Sequence, residues 1–208
     1  MKIPRKLIWI NLLSLIIFIF ILLEVLFRGF LIRWDLAINY LMKSQYVCIV
    51  NFSKAVGVIF DVRVLLIISF LIAIYLWFKD SKKDSVFFVV VGLAGAGIIY
   101  LLKELIIRAR PLSDLIIETG FSFPSGHTTI AVLFFGLLTY LIFKKNKSKN
   151  IKLISSVIFI LISLIIGFTR LYLGVHWFSD VVGGFSLGVF LLSFGILIKE
   201  KFFKPKYL

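Results

Sequence analysis

The chain contains two histidines, His127 and His176, and each stands beside groups that could put it to work. Asp180 follows His176 by four residues. On a helix that spacing sets a carboxylate beside the imidazole on one face. The carboxylate can then hold one ring N–H while the other nitrogen stays available as a nucleophile or base near neutral pH. His127 follows Pro124-Ser125-Gly126. A helix that begins this way leaves backbone N–H groups unpaired, a position suited to an anion. Lys103 and Arg110 are seven residues apart, two helical turns, so they are expected to share one helical face. Pro111 marks the exit into a loop. Arg170 stands six residues before His176. Gathered together, three cations, two imidazoles, one carboxylate and a helix N-terminus suit a phosphate, because charge-assisted hydrogen bonds are the strong kind. Next to a bilayer, such a cluster is expensive unless an anion compensates it.

The elements that must position these residues are membrane helices. Of 208 residues, 61% are hydrophobic and 16% charged, against about 25% charged in an ordinary soluble domain. That composition excludes a disordered chain and a soluble globule. Apolar runs recur at Leu7–Phe27, Val62–Phe78, Val86–Ile107, Thr128–Phe143, Leu153–Phe168 and Trp177–Ile198, each near the roughly 20 residues a helix needs to cross a bilayer. The runs are apolar all round, unlike the alternating strands of a membrane barrel. The first run follows Lys2, Arg5 and Lys6. It is longer than a signal-peptide core and has no small-residue cleavage site, so it is expected to be a retained helix. The predicted fold is an all-α, polytopic membrane protein: six transmembrane helices in one domain over residues 1–208.

Six spans put both termini on one side. The N-terminal segment, the Lys79–Asp84 loop, the Lys144–Lys152 loop and the tail from Lys199 then share that side, with 3, 3, 5 and 4 Lys or Arg residues. The positive-inside rule makes it cytoplasmic, and the chemistry-bearing segments fall together on the outer side. The net charge of +14 is read as topology rather than as a nucleic-acid footprint. Residues Phe30 to Asp61 are too polar to span. Trp34, Leu36, Ile38, Leu41 and Met42 alternate with Asp35, Asn39, Lys43 and Ser44, which predicts an amphipathic helix on the outer leaflet: a lid, a lipid-entry wall or a plain connector. Cys48, the single cysteine, permits no intrachain disulfide and is expected to be a small core or interfacial residue.

Lys-x6-Arg-Pro (Lys103 to Pro111), Pro-Ser-Gly-His (Pro124 to His127) and Arg-x5-His-x3-Asp (Arg170 to Asp180) together resemble the three-part signature of the type-2 phosphatidic acid phosphatase superfamily, which also includes vanadium haloperoxidases and glucose-6-phosphatase. The signature covers residues 103–180. One departure is Thr169, where the family usually has Ser; the hydroxyl is kept. The Pro-Ser-Gly-His form resembles the bacterial phosphatidylglycerophosphate phosphatase branch more than the bacitracin-resistance branch. The resemblance implies that His176 is a nucleophile forming a phosphohistidine, that Asp180 orients it, and that His127 is the general acid and then the base for water. It implies that Lys103, Arg110 and Arg170 hold the nonbridging oxygens, with Ser125 and the N–H groups of Gly126 and His127 completing the cradle. No cofactor is implied.

Each residue also has a plainer reading. His176 and Asp180 could form a structural hydrogen bond, and a lone His127 could be interfacial. Arg108 reads as a cation snorkelling to lipid headgroups. Zinc on His127, His176 and Asp180 is disfavoured, because three cations already supply a metal's charge and would repel one. Ser125 as nucleophile lacks a Gly-x-Ser-x-Gly elbow. Gly92, Gly95 and Gly97, with Gly183, Gly184 and Gly188, are expected to let the third and sixth spans approach. Glu24, Glu104 and Glu118 read as solvated or paired carboxylates. The leading expectation is a lipid phosphatase of the cell membrane acting on the outer face, with undecaprenyl pyrophosphate, phosphatidylglycerophosphate or phosphatidic acid as implied substrates. A lipid phosphotransferase and an anion or lipid transporter are the alternatives. Beyond the bilayer and the lipid, no partner is indicated.

Overall fold

A computed structural model describes residues 5–42 and 46–202. Lys2, Lys204 and Lys206 of the charge count, and Lys43 and Ser44 of the amphipathic pattern, lie outside the described residues. Within them the chain forms eight helices and no strand: α1 (Arg5–Leu26), α2 (Leu31–Leu41), α3 (Val47–Ile59), α4 (Val62–Phe78), α5 (Lys82–Ile106), α6 (Gly126–Lys145), α7 (Lys149–Tyr172) and α8 (Phe178–Phe202). Five of them, α1, α5, α6, α7 and α8, are long and apolar enough to cross a membrane. The 17 residues of α4 coincide with the predicted second run but reach that length only together with α3, from which α4 is bent by 41°.

The region between Phe30 and Asp61 is therefore not one surface helix. It forms α2 and α3, and on α2 Asp35 points inward: it is buried while Trp34, Leu36 and Leu41 are exposed. Cys48 is exposed on α3.

Packing is organised around α6, which touches α4, α5, α7 and α8. Its buried Ile130, Leu133 and Leu137 meet Leu65 and Leu76 of α4, Phe88 of α5, Ile166 of α7 and Leu187 of α8 in one core. In a bilayer no hydrophobic drive brings helices together, so close approach and interhelical hydrogen bonds matter. The glycines serve this, though not between the predicted pair of spans. A Cβ on Gly184 would meet the Ser125 carbonyl oxygen at 2.9 Å, and one on Gly188 would meet the Thr129 carbonyl oxygen at 3.0 Å. A Cβ on Gly95 would strike Leu133. These glycines thus press α8 and α5 against α6. α1 lies along α8, where Asn11 donates to the Phe190 carbonyl and to Ser193 Oγ, both at 3.0 Å.

At one end of the bundle, buried Asp84 joins α5 to α6 and α8 by ion pairs with Lys144, at 2.6 Å, and with Lys199. The C-terminal ends of α5 and α7 and the N-terminal ends of α6 and α8 meet at the other end, where the three signature segments fall.

Candidate phosphate site

Three short segments build the site, and the first departs from the predicted geometry. α5 stops at Ile106, and Ile107 adopts left-handed backbone, φ 51°. That conformation is uncommon for a β-branched residue. It breaks the helix between Lys103 and Arg110, so the two cations do not share a helical face. The chain turns back instead. Lys103 Nζ donates to the Phe121 carbonyl. Arg110 donates from Nη1 to the Val175 carbonyl at 2.8 Å and from Nε to the Gly120 carbonyl at 3.1 Å.

His176 sits between Arg110 and Asp180. Arg110 Nη1 is 3.2 Å from Nε2, and Asp180 Oδ2 is 3.3 Å from Nδ1. A guanidinium can only donate. Nε2 therefore accepts, and Nδ1 carries the proton and gives it to the carboxylate. Burial pushes the imidazole down to about 4, against the pull of the Asp180 hydrogen bond and charge. The ring is thus neutral at pH 7, with its Nε2 lone pair directed to the cation side. Asp180 is fully buried. It also accepts from the Trp177 N–H at 2.9 Å and from Arg108 Nη1 at 2.5 Å.

α6 begins at Gly126, with Ser125 as its N-cap. Ser125 is buried; its N–H donates to the Asp180 carbonyl at 3.0 Å, and its Oγ accepts from Thr128 Oγ1 at 3.0 Å. Ser125 thereby fastens the start of α6 to the start of α8. The N–H groups of Gly126 and His127 lie in the first turn, where no intrahelical acceptor exists. His127 Nε2 is 3.7 Å from Asp61 Oδ2.

Arg170, 2% exposed at the end of α7, donates from Nη2 to the Ser53 carbonyl of α3 at 3.0 Å. A Cβ on Gly57, one turn further along α3, would collide with its guanidinium. A cavity of about 530 Å³ opens on this side, lined by Gly57, Val58, Asp61, Ile67, His127 and Arg170 among others.

All eight predicted site residues thus fall at one end of the bundle. The structure adds four that the sequence reading missed or misassigned. Arg108 does not snorkel: it bridges Asp180 and Asp35. Asp35 is buried, not on a wet face. Asp61 faces His127. Glu118, read as a solvated or paired carboxylate, is paired, with Arg110 at 3.4 Å and Arg170 at 3.7 Å. The amphipathic pattern gave Asp35 a wet face, and nothing local marked it as buried. Nothing in the sequence marked Gly57. Among the described residues no three His, Cys, Asp or Glu side chains converge to hold a metal.

Fold and site define a helical membrane protein with a basic, two-histidine cluster at one end of its bundle. The chain belongs to the PAP2 superfamily, whose sequence profile matches residues 85–204. It is 40% identical over 113 residues to phosphatidylglycerophosphatase B of Bacillus subtilis (strain 168), covering 50% of this chain. The match spans about half of that relative, 54% of its length. It is 30% identical over 83 residues to lipid phosphate phosphatase delta of Arabidopsis thaliana, covering 39% of this chain and 20% of that protein. A solved structure described as the first transmembrane PAP2 type phosphatidylglycerolphosphate phosphatase from Bacillus subtilis superposes with a TM-score of 0.81 at 26% identity, covering 99% of this chain and all of that one.

Proposed function

We propose that the protein is a membrane lipid phosphatase that removes the phosphomonoester of phosphatidylglycerophosphate at the outer face, without metal, through a phosphohistidine on His176. The observation that carries this reading is the His176 environment: Asp180 on Nδ1 and a guanidinium facing Nε2. Anion binding alone requires no oriented nucleophile, so the arrangement favours catalysis over transport. The names of the Bacillus relatives favour phosphatidylglycerophosphate among the lipid phosphates.

In the first step the Nε2 lone pair attacks phosphorus and the bond to the lipid oxygen breaks, its electron pair leaving with the oxygen. His127, in the cationic form that the incoming phosphate dianion and Asp61 favour, gives its proton to that oxygen. Phosphoryl on Nε2 with a proton on Nδ1 makes the His176 ring cationic, and Asp180 balances it. Lys103, Arg110, Arg170 and the first amides of α6 stabilise charge on the three nonbridging oxygens. The lipid glycerol lies in the cavity beside His127. In the second step His127, now neutral, takes a proton from water. The water oxygen attacks phosphorus, the P–N bond breaks, and its electron pair returns to Nε2. The Glu118 carboxylate pairs with two of the cations until phosphate displaces it. Pure protein in detergent is expected to release phosphate from phosphatidylglycerophosphate faster than from phosphatidic acid or an isoprenoid pyrophosphate, with EDTA present and with vanadate inhibiting. Loss of activity in EDTA with restoration by zinc or magnesium would overturn the metal-free chemistry. Preference for another lipid would overturn the substrate.

A further inference from the structure

Asp180 is held from both sides. Its Oδ2 faces His176, and its Oδ1 accepts from Arg108 Nη1 at 2.5 Å. The other end of the Arg108 fork, Nη2, donates to Asp35 Oδ2 at 2.6 Å. Asp35 in turn accepts from the Ser179 N–H at 2.8 Å and from Ser179 Oγ at 2.7 Å. Arg108 Nη1 also donates to Ser179 Oγ at 2.7 Å. Asp35 and Asp180 are 2% and 0% exposed. α2, the segment after α5 and the first turn of α8 are thereby tied together through one guanidinium. None of these contacts faces the cavity beside His127. We infer that Arg108, held in place by Asp35, is a positioning residue that keeps Asp180 ionised and thereby fixes the His176 tautomer with its free nitrogen at Nε2.

The physical argument is charge balance in a dry place. Two buried carboxylates around one guanidinium are tolerable only while the cation is there. Without Arg108 the pair cannot both stay ionised, and one carboxylate takes a proton. A protonated Asp180 donates where it used to accept. Nδ1 then accepts, the ring proton moves to Nε2, and the nucleophilic lone pair is lost. Lys103 and Arg110 also lie within electrostatic reach of Asp180, but their hydrogen bonds go to carbonyls and, for Arg110, to His176 and Glu118. An ammonium in place of the guanidinium cannot reproduce the planar fork that spans two carboxylates.

The inference rests on the phosphatase reading for its kinetic consequence but not for its structural one, so the test has two arms. In the first, full-length protein labelled with ¹⁵N-histidine is observed by NMR in detergent, with His127→Gln assigning the two rings. The wild-type His176 is expected as the Nδ1–H tautomer, and Arg108→Gln is expected to shift it to Nε2–H or a mixture. In the second arm, kcat for lipid phosphate and the affinity for vanadate are measured together. Outer partners that orient a reacting group are typically worth about 10- to 100-fold. Asp35→Asn and Arg108→Gln should lose that much in kcat while vanadate affinity stays within about threefold, because the cradle is untouched. Arg108→Lys should not restore kcat. An unchanged tautomer in Arg108→Gln, or in Arg108→Met if Arg108→Gln does not fold, overturns the inference. So does a parallel fall of kcat and vanadate affinity, which would mark a structural role or membership of the cradle. A wild-type protein without phosphatase activity would defeat the functional reading and leave the tautomer arm to decide this one.

Discussion

His176 and His127 differ in what surrounds them: the first lies between Arg110 and Asp180, the second faces Asp61 beside the cavity. A histidine whose pKa is depressed stays neutral until the pH falls through the depressed value. With His176 pushed down to about 4 by burial, its nucleophilic form persists well below the ordinary 6.5. The acid limb of kcat/KM should therefore contain no loss from this group between pH 7.5 and 5.5, once the substrate's own phosphate titration near pH 6 is allowed for. A residual limb at about 6.5 would contradict the buried, neutral ring. His127 matters in proportion to how badly the departing oxygen needs a proton. An alkoxide from a lipid monophosphate needs one much more than a lipid phosphate leaving from a pyrophosphate, whose final pKa is about 6. General acid catalysis contributes about 10²- to 10⁴-fold. His127→Ala should thus lose that much more on phosphatidic acid than on an isoprenoid pyrophosphate in single-turnover release of the leaving group. Equal losses on the two lipids would remove His127 from the acid role.

The site's helices are placed by close contacts that a sequence shows only in part. The Arg-x5-His-x3-Asp spacing put an imidazole and a carboxylate side by side, although not on one helical face: His176 lies two residues before α8, and Asp180 in the first turn of α8 meets it there. The Lys-x6-Arg spacing misled because the chain does not stay helical. The left-handed turn at Ile107 has no local signature such as glycine, and long-range bonds from Ser122 and Trp177 to the Arg108 and Ala109 carbonyls hold it. The role of α3 was hidden too, since a backbone carbonyl at Ser53 and a missing side chain at Gly57 leave no chemical mark. Gly57 supplies a test at this scale. Its absent Cβ leaves room for the Arg170 guanidinium. Gly57→Ala should displace that guanidinium with little effect on folding. Charge-assisted hydrogen bonds are worth about 1.5–3 kcal/mol, so vanadate affinity should drop about 10- to 100-fold. Vanadate affinity unchanged in Gly57→Ala would mean Arg170 does not hold the anion. Gly184→Ala, by contrast, meets backbone at 2.9 Å and should lower thermal stability, by about 1–3 kcal/mol for overpacking.

At the scale of the molecule, composition and apolar runs made the membrane bundle legible, while the number of crossings depends on how α3 and α4 share one. The two ends of the bundle are chemically distinct: one carries the Asp84, Lys144 and Lys199 cluster, the other the histidines. The proposal that the histidine end faces outward rests on the loop charges. In a Cys48-free background, a cysteine at Ser113 should react with an impermeant thiol reagent in intact cells or spheroplasts, and one at Lys147 should not. The reverse pattern would turn the molecule over and place its substrate in the inner leaflet.

The claim on which the account turns is that His176 carries the phosphoryl group, and trapping it is the most direct test. His127→Ala should still be phosphorylated by a substrate with a good leaving group, yet release phosphate slowly, because activation of water is lost. Alkaline quench and peptide mass spectrometry of that variant should find one phosphate on the imidazole of His176, absent when His176→Ala is combined with it. Phosphate on Ser125 or another side chain, or full turnover by His176→Ala, would contradict the account.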